Sequence, residues 1–474
     1  MISEQVEFSG EAQRLTRAAA LISIGNVTSR ALGLLREMTK SYFFGAGGAV
    51  SAFDVASQVP TMFYDQLVGG MLSSALVPIF TDYAHPDDQK ELWRLLNFLL
   101  SLIALALGGI IACVMFVSPW IAQVLGKGLD PQYLDLAAQM IRITAPAIFF
   151  LNVAGLLSAS LYALQRFTLP AFSAAIYNAS LVLVVALLGR SALGPRTLAL
   201  GLLVASIAQV GFQLPGLRDA KLRLQSPLPF HPALLKVGRL YLPIGLGLLV
   251  DQFAVALSFN LASRTGESGI AWMKYAATLI QFPLGLVVTA VSVAILPTLS
   301  RYATDEDEES FRGTLAQGLR LVLILVLPAA MGLLVMAEPL VAVILQRGEF
   351  LPSDTIATAQ ALRFSILGLV FAALDQPLIF AFYARKDTWT PALVGVGTVI
   401  FYIGMALLPT QLHEPRLWEL ILANSFKLMA HALLMLHLFT RKVGKLGPYH
   451  IGRTTPVSYT HLRAHETVLD LVCR

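Results

Sequence analysis

Long apolar segments follow one another along residues 18–440, separated by short polar stretches. Each segment is long enough to cross the roughly 30 Å hydrocarbon core of a bilayer as a helix. Several exceed 25 residues, so they must tilt, kink or extend beyond the bilayer. The pattern predicts an all-α, polytopic membrane protein with twelve spans, at 18–44, 51–81, 95–124, 136–163, 169–189, 197–217, 238–263, 270–300, 314–345, 356–384, 390–409 and 417–440.

Two stretches of sequence recur about 220 residues apart. The segment 162–171 holds Tyr-Ala and, further on, Leu-Pro-Ala; the segment 383–392 holds Tyr-Ala and Thr-Pro-Ala, an offset of 383 − 162 = 221. The segment 77–84 recurs at 296–303, an offset of 296 − 77 = 219. Six spans per repeat is an even number, so the two lobes should share one orientation. Their pseudo-twofold axis should then run along the membrane normal, as in many transporters.

The repeat and the loop composition together predict the domain limits. A six-helix N-terminal lobe covers 1–217, a basic, proline-containing cytoplasmic linker covers 218–237, and a six-helix C-terminal lobe covers 238–446. A cavity between the lobes is the expected substrate site. Residues 447–474 lack span hydrophobicity and a helix cap, and we interpret them as a non-native or disordered tail that resembles a translated sequencing adaptor.

Composition agrees with a membrane protein and excludes several other classes. Hydrophobic residues make up 56% of the chain and charged residues 13%, against roughly 25% charged in soluble domains. The net charge of +5 is not concentrated in one patch, so we expect no nucleic-acid partner. The two cysteines, Cys113 and Cys473, provide neither a disulfide framework nor a CxxC metal site. No Walker motif and no nucleophile–base pattern is present, so the chain is not expected to be an enzyme or to bind a metal.

Basic residues in the loops predict the orientation. With the N-terminus in the cytoplasm, the cytoplasmic segments carry 17 Lys and Arg residues and the opposite loops carry 6. The positive-inside rule therefore places both ends of the 1–440 core in the cytoplasm.

The first span carries a polar stripe that cannot face lipid. Asn26, Arg30 and Glu37 lie on one side of the helix at 100° per residue, and Arg36 and Lys40 form a second, basic edge. In one interpretation Arg30 and Arg36 bind an anionic head group, because a guanidinium can hold phosphate or carboxylate bidentately. In the other, Arg30 and Glu37 form a structural ion pair inside a polar bundle.

Other charges inside the spans are further candidates, because each is costly in a bilayer. Asp54 and Asp65 in span two lie on one face and could counter the arginines of span one, bind a cation, or serve packing. Lys274 in span eight is a weaker candidate for contacting substrate charge. Asp251 and Asp375 are single carboxylates in apolar surroundings, so each is either an ion-coupling site or a satisfied structural group.

Several of these residues lie in motifs that resemble a known family. Residues 29–37 (Ser-Arg-Ala-Leu-Gly-Leu-Leu-Arg-Glu), 44–47 (Phe-Gly-Ala-Gly) and 76–79 (Leu-Val-Pro-Ile) resemble the first two helices of lipid II flippases, the MurJ/MviN family. Residues 272–297, with Trp-Met-Lys-Tyr-Ala, Gln-Phe-Pro and Ile-Leu-Pro, resemble its eighth helix. Residues 382–391 resemble its loop before helix eleven.

The resemblance covers about residues 14–446 and implies both a fold and an activity. The family belongs to the multidrug/oligosaccharidyl-lipid/polysaccharide exporter superfamily, whose two lobes alternate between inward-open and outward-open states. The implied activity is movement of the polyprenyl-pyrophosphate-linked peptidoglycan precursor, lipid II, to the outer leaflet of the bacterial inner membrane. The implied partners are this glycan lipid and membrane lipids. Separately from the resemblance, we expect a monomeric protein with no cofactor, except for a coupling cation, Na⁺ or H⁺, if Asp251 and Asp375 are ion-coupling sites.

The match is uneven at the functional positions. Arg30, Arg36 and Glu37 coincide with the family's first-helix positions, but neutral residues stand where the family has cavity charges. The alternatives are therefore an exporter of another lipid-linked glycan or amphipathic compound by cation antiport, or a non-transporting membrane scaffold. The family's last two helices are expected to be missing from this sequence. The neutral residues that stand where the family has cavity charges are Ser51, Tyr64, Gly69 and Thr278.

Overall fold

The computed structural model describes residues 2–69, 76–84, 89–220 and 233–446, and these contain helices joined by turns, with no strand among them. The predicted all-α class is confirmed. Residues 221–232 of the predicted linker and the predicted tail at 447–474 lie outside the described residues. The α-helices are α1 Ile2–Phe44, α2 Gly48–Tyr64, α3 Val77–Asp82, α4 Gln89–Phe116, α5 Ser118–Gly126, α6 Pro131–Thr144, α7 Ala147–Ala163, α8 Thr168–Leu188, α9 Arg196–Gln213, α10 Ala233–Ser263, α11 Gly269–Pro283, α12 Thr289–Thr304, α13 Glu308–Val335, α14 Ala337–Leu345, α15 Pro352–Ala384, α16 Trp389–Leu407 and α17 Leu417–Lys442.

Ten of the twelve predicted spans correspond to helices that are long and apolar enough to cross a membrane. Nine such helices occur in the described parts of the chain, and α6 with α7 makes a tenth if this pair, bent by 42°, counts as one span. These are predicted spans three to twelve. The first two predicted spans are helical in α1 and α2, but they do not meet the same criterion within the described residues.

The internal repeat is visible in the secondary structure. α4 and α5 recur as α13 and α14 with the same bounds shifted by 308 − 89 = 219 and 345 − 126 = 219. A π-helical turn at Asp65–Gly69 recurs at Leu284–Val288, again shifted by 284 − 65 = 219. Such turns widen a helix locally and are rare, so their recurrence at one offset is strong support for two related halves.

The sequence offset between equivalent residues of the two halves changes from 219 to 221 at a single loop. α6 begins at Pro131 and α15 at Pro352, and 352 − 131 = 221. The loop after α5 spans 127–130, whereas the loop after α14 spans 346–351 and is two residues longer. The later turns keep the new offset: Gln165 (φ 57°) and Lys386 (φ 59°) are both left-handed, a conformation uncommon outside glycine.

The two hydrophobic cores use equivalent positions of the repeat. Leu92 and Leu161 are fully buried in one core, and their repeat equivalents Phe311 and Phe382 are buried in the other. In the second core the ring of Phe439 stacks on Phe311 and meets Phe382 edge to face. Each bundle is therefore organised around its own apolar centre.

The chain divides into two compact units, one of residues 1–271 with 347–350 and the other of residues 272–346 with 351 onward. α10 belongs to the first unit, where Asn260 Nδ2 donates to the Val124 carbonyl at 2.6 Å and the Gly128 N–H donates to Ser263 Oγ at 2.9 Å. The short segment 347–350 joins the same unit through the Glu349 N–H, which donates to the Tyr42 carbonyl at 3.1 Å. The lobe limits at 217 and 238 follow the sequence repeat and remain a prediction.

Candidate functional site

A buried ion network connects α1 to α2 in the first unit. The Lys40 ammonium lies 2.7 Å from Glu37 Oε2 and 3.0 Å from Asp54 Oδ1. All three side chains are less than a tenth exposed. With Arg36, which also contacts Glu37, the group holds two positive and two negative charges, so burial leaves no net charge to be neutralised.

Within this network, Arg36 is the residue whose side chain is partly exposed to solvent. Its Nε and Nη2 donate to Glu37 Oε1 at 3.1 and 2.8 Å, and its Nη1 donates to Asn178 Oδ1 at 3.0 Å. The side chain is nevertheless 31% exposed. A guanidinium has five N–H donors, and these three bonds leave one on each Nη for a further acceptor. Arg36 is thus held in place while it can still bind an anionic oxygen.

Close packing of α1 on α8 determines where Arg36 lies. A Cβ on Gly25 would come within 2.3 Å of the Ala171 carbonyl oxygen, so only glycine permits this approach. One turn further along α1, Asn178 Nδ2 donates to the Ser29 carbonyl at 3.1 Å. The same amide thereby fixes the helix backbone and orients the guanidinium.

The remaining stripe residues of α1 are more accessible. Asn26 is exposed and Arg30 is partly exposed. Glu37, which the sequence suggested as a partner for Arg30, is paired with Arg36 and Lys40. The roles predicted for Asn26, Arg30, Arg36 and Glu37 in substrate binding stay predictions.

Ser51 and Thr278, two of the neutral residues at positions where the resemblance implied cavity charges, make local hydrogen bonds. Ser51 Oγ donates to the Glu267 carbonyl at 2.5 Å, and Thr278 Oγ1 donates to the Lys274 carbonyl one turn earlier in α11 at 3.1 Å. Tyr64 is partly buried at the end of α2, directly before the π-helical turn. Gly69 ends this turn, and its burial is not among the features that the structure describes.

Asp65 and Lys274 lie in different units, and neither is fully buried. Asp65 opens the π-helical turn, and its neighbour Gln66 donates to the Gly245 carbonyl of α10 at 2.9 Å. That contact ties the irregular part of span two to α10. Asp65 and Lys274 remain predicted substrate contacts.

The two ion-coupling candidates have different surroundings. Asp251 is exposed on α10 in the first unit. Asp375 is 8% exposed on α15 in the second unit, and both of its carboxylate oxygens lie 2.8 Å from Nδ1 of His431 on α17. Among the described residues, no group of three His, Cys, Asp or Glu side chains is arranged to hold a metal ion.

Two carboxyls in the loops between spans have shifted pKa values. A hydrogen bond with Asp130, together with partial desolvation and the nearby carboxylate charge, raises the pKa of Glu267 above its ordinary range. Burial alone would raise the pKa of Asp387, but hydrogen bonds from Lys442 and Thr390 outweigh it and hold that pKa below the ordinary range. Lys442 Nζ lies 2.7 Å from Asp387 Oδ2.

Sequence reasoning did not find Asn178 or His431 and gave Lys40 no specific role. His431 had a usable signal, because a titratable residue inside an apolar span is costly. Asn178 had a weaker one, as the single amide side chain in a mostly apolar helix. One of the two partners of Lys40, Asp54, is on another helix, so the burial of Lys40 became visible only in the fold.

Comparison with known proteins decides the family. A family model described as "Lipid II flippase MurJ" matches residues 40–465, most of the chain. The chain belongs to the lipid II flippase MurJ family. As a member of this transporter family it is a multi-pass membrane protein, which agrees with its apolar helices.

Individual relatives agree with the family match. The chain is 28% identical over 452 residues to the probable lipid II flippase MurJ of Haemophilus influenzae, which covers 91% of this chain and 86% of that one. It is 30% identical to the lipid II flippase MurJ of Burkholderia cenocepacia, covering 81% and 76%. Among solved structures, an inward closed conformation of lipid II flippase MurJ aligns with a TM-score of 0.81 at 21% identity, covering 95% and 93%. An inward-facing multidrug resistance transporter of the MATE family, in the MOP superfamily, aligns with a TM-score of 0.77 at 13% identity, covering 90% and 99%.

Proposed function

We propose that this protein carries lipid II from the inner to the outer leaflet of the bacterial inner membrane, with its N-terminus in the cytoplasm, by alternating access. The family membership supports the cargo class, and the loop charges support the orientation. The observation that carries the proposal is Arg36, a guanidinium held by three hydrogen bonds inside a predicted span with two N–H donors left over.

The cargo has the chemistry that such a group recognises. A polyprenyl-pyrophosphate carries anionic oxygens that a guanidinium can bind with charge-assisted hydrogen bonds. Arg30 and Asn26 follow Arg36 towards the N-terminal end of α1 and offer further donors on partly or fully exposed side chains. We infer that this stripe contacts the diphosphate and the adjoining sugar.

Glu37, Lys40 and Asp54 have a positioning role in this proposal. Glu37 accepts two bonds from Arg36, and Lys40 holds Glu37 against Asp54. Side chains locked in this way keep a binding group in one geometry at small entropic cost. Asp54 is then a support for the arginine site and does not contact the cargo.

A second candidate cargo follows from the neutral residues. Ser51 and Thr278 stand where the family carries charges, and both bond to nearby backbone carbonyls. A less charged site would suit another lipid-linked glycan or amphipathic compound. An ion gradient would drive either cargo, with Asp251 and Asp375 as the coupling candidates.

The test is rescue of a bacterium depleted of its own lipid II flippase. Wild-type protein should restore growth, and Arg36→Ala should abolish rescue while the protein still accumulates in the membrane. Arg94→Ala is the matched control, because Arg94 is 66% exposed and should be dispensable. Failure of the wild type would favour the alternative cargo or a scaffold. Full rescue by Arg36→Ala would refute the role of this arginine.

A further inference from the structure

His431 and Asp375 form a buried acid–base pair inside the second unit, on two helices that are both long and apolar enough to span a membrane. Their side chains are 13% and 11% exposed. Asp375 lies nine residues before the end of α15 and His431 eleven before the end of α17. At 1.5 Å per residue, the pair is about 14–17 Å from these helix ends, well inside both helices.

We propose that His431, with Asp375 as its counter-charge, is the proton-binding site through which a proton gradient drives transport; this rests on the proposed function above. Nδ1 of the imidazole faces the carboxylate, so its N–H donates to Asp375 and the Nε2 lone pair points away. One proton from water adds to Nε2 and is later released from it. No other bond changes, and the Nδ1–H of His431 remains hydrogen-bonded to Asp375 throughout.

Gly395 on the neighbouring helix α16 lies close to the second ring nitrogen of His431. A Cβ on Gly395 would lie 3.9 Å from Nε2, and outside the backbone of its own helix no other heavy atom would come within 4 Å of that Cβ. The absence of a side chain at Gly395 leaves room on this side of the imidazole for the water molecule or proton donor that the proposal requires.

The pair favours a proton over a metal cation. The N–H that faces both carboxylate oxygens lies where a cation bound to Asp375 would sit, and the described residues supply no set of three ligands. Histidine is the side chain whose charge changes most readily near neutral pH. Protonation converts a lone buried carboxylate into an ion pair of zero net charge, which is the less costly state in a low dielectric.

The surroundings of the pair set its electrostatics. On α15, Tyr383 lies about two turns beyond Asp375. On α16, the ring of Tyr402 is 5.9 Å from the Lys427 ammonium, which lies one turn before His431 on α17. Beside Asp375, Gln376 Nε2 reaches Thr289 Oγ1 of α12 at 3.5 Å. α13, which packs on α15, contributes Arg320 twelve residues from its start, a similar depth.

The direct test is a histidine titration of the full-length protein in lipid nanodiscs, read by ¹⁵N NMR. Among the imidazole signals of the eight histidines, one should be absent from His431→Gln, and in the wild type that signal should convert between neutral and charged forms between pH 5 and 9. His437→Gln, six residues further along the same helix at an exposed position, should leave that signal unchanged. A His431 signal that stays in one form from pH 5 to 9 would overturn the proposal.

The coupling is tested by lipid II flipping in proteoliposomes with an imposed gradient. A pH gradient should accelerate wild type and His437→Gln but not His431→Gln, and a sodium gradient alone should have no effect. Acceleration of His431→Gln by the pH gradient would refute the coupling. If His431→Gln does not accumulate, Asp375→Asn replaces it: without the carboxylate acceptor, the ¹⁵N signal of the His431 Nδ1–H should move, and an unchanged signal would refute the pairing. The NMR titration needs no cargo, so it tests the proton site by itself. If lipid II does not flip, that result counts against the proposed function, and the NMR result still decides whether His431 binds the proton.

Discussion

Replacing Lys40 by methionine should destabilise the protein far more than removing an equivalent surface charge. Lys40 is 3% exposed and lies within 3.0 Å of two carboxylates that are themselves buried. Methionine fills a similar volume, but it leaves Asp54 and Glu37 with less positive charge beside them. Removing one partner of a buried pair typically costs about 3–5 kcal/mol, because the remaining charge stays uncompensated.

The chain provides its own control for this experiment. Glu91 and Arg94 have the same i, i+3 spacing as Glu37 and Lys40, but their side chains are 48% and 66% exposed. Exposed pairs contribute about 0–1 kcal/mol, so Arg94→Met should change stability little. The assay is thermal unfolding of purified protein in detergent. An unfolding entropy of about 2.1 cal/mol/K per residue gives about 1 °C per kcal/mol if the whole chain unfolds together and about 2 °C per kcal/mol if the first unit unfolds alone. A loss of 3 kcal/mol therefore lowers Tm by roughly 3–5 °C.

A double variant separates charge from packing. Lys40→Met with Asp54→Asn removes both the cation and one of its carboxylates, while Glu37 keeps its contact with Arg36. We expect it to recover at least half of the stability that the single variant loses. Equal Tm losses for Lys40→Met and Arg94→Met, or no recovery in the double variant, would refute the buried network as a source of stability.

Two further predictions concern pH. The folded state holds the pKa of Asp387 below its ordinary range, so this carboxylate stabilises the protein at pH values above that range and loses its effect as the pH falls. Asp387→Asn should therefore lower Tm at pH 7 and match the Tm of the wild type in acid. A difference in Tm that does not depend on pH would contradict this. For Glu267 the sign is opposite, because its raised pKa favours the protonated folded state at low pH. Wild-type stability should fall as the pH rises through and above the ordinary glutamate range, and Glu267→Gln should remove this component; an identical pH profile would argue against the Asp130 contact.

The fold was largely predictable because its signals are periodic. The length of the apolar segments predicted twelve spans, of which the helices confirm ten. The offsets of 219 and 221 between the two short repeated motifs recur between the bounds of equivalent helices along most of the chain. The switch between the two offsets was not located in advance, because a two-residue insertion in a loop leaves the apolar pattern intact. The membership of α10 in the first unit was also not predicted, since it depends on contacts such as that of Ser263 with Gly128.

The candidate site was predictable in composition but not in pairing. A helical projection places Arg30 and Glu37 on one side, yet the long side chain of Arg36 reaches its direct neighbour, and Lys40 reaches back one turn. Such choices depend on χ angles and on groups from other helices, here Asp54 and Asn178. Sequence periodicity contains neither kind of information.

Exposure of lipid II on the outer leaflet tests the central claim most directly. Cells depleted of their own flippase and expressing this protein are treated with a membrane-impermeant enzyme that cleaves lipid II, and the cleaved fraction is measured. Lipid II should be cleaved in cells with the wild-type protein and with Arg94→Ala, and it should stay uncleaved with Arg36→Ala at an equal protein level. Lipid II that stays protected in cells containing the wild-type protein would contradict the central claim.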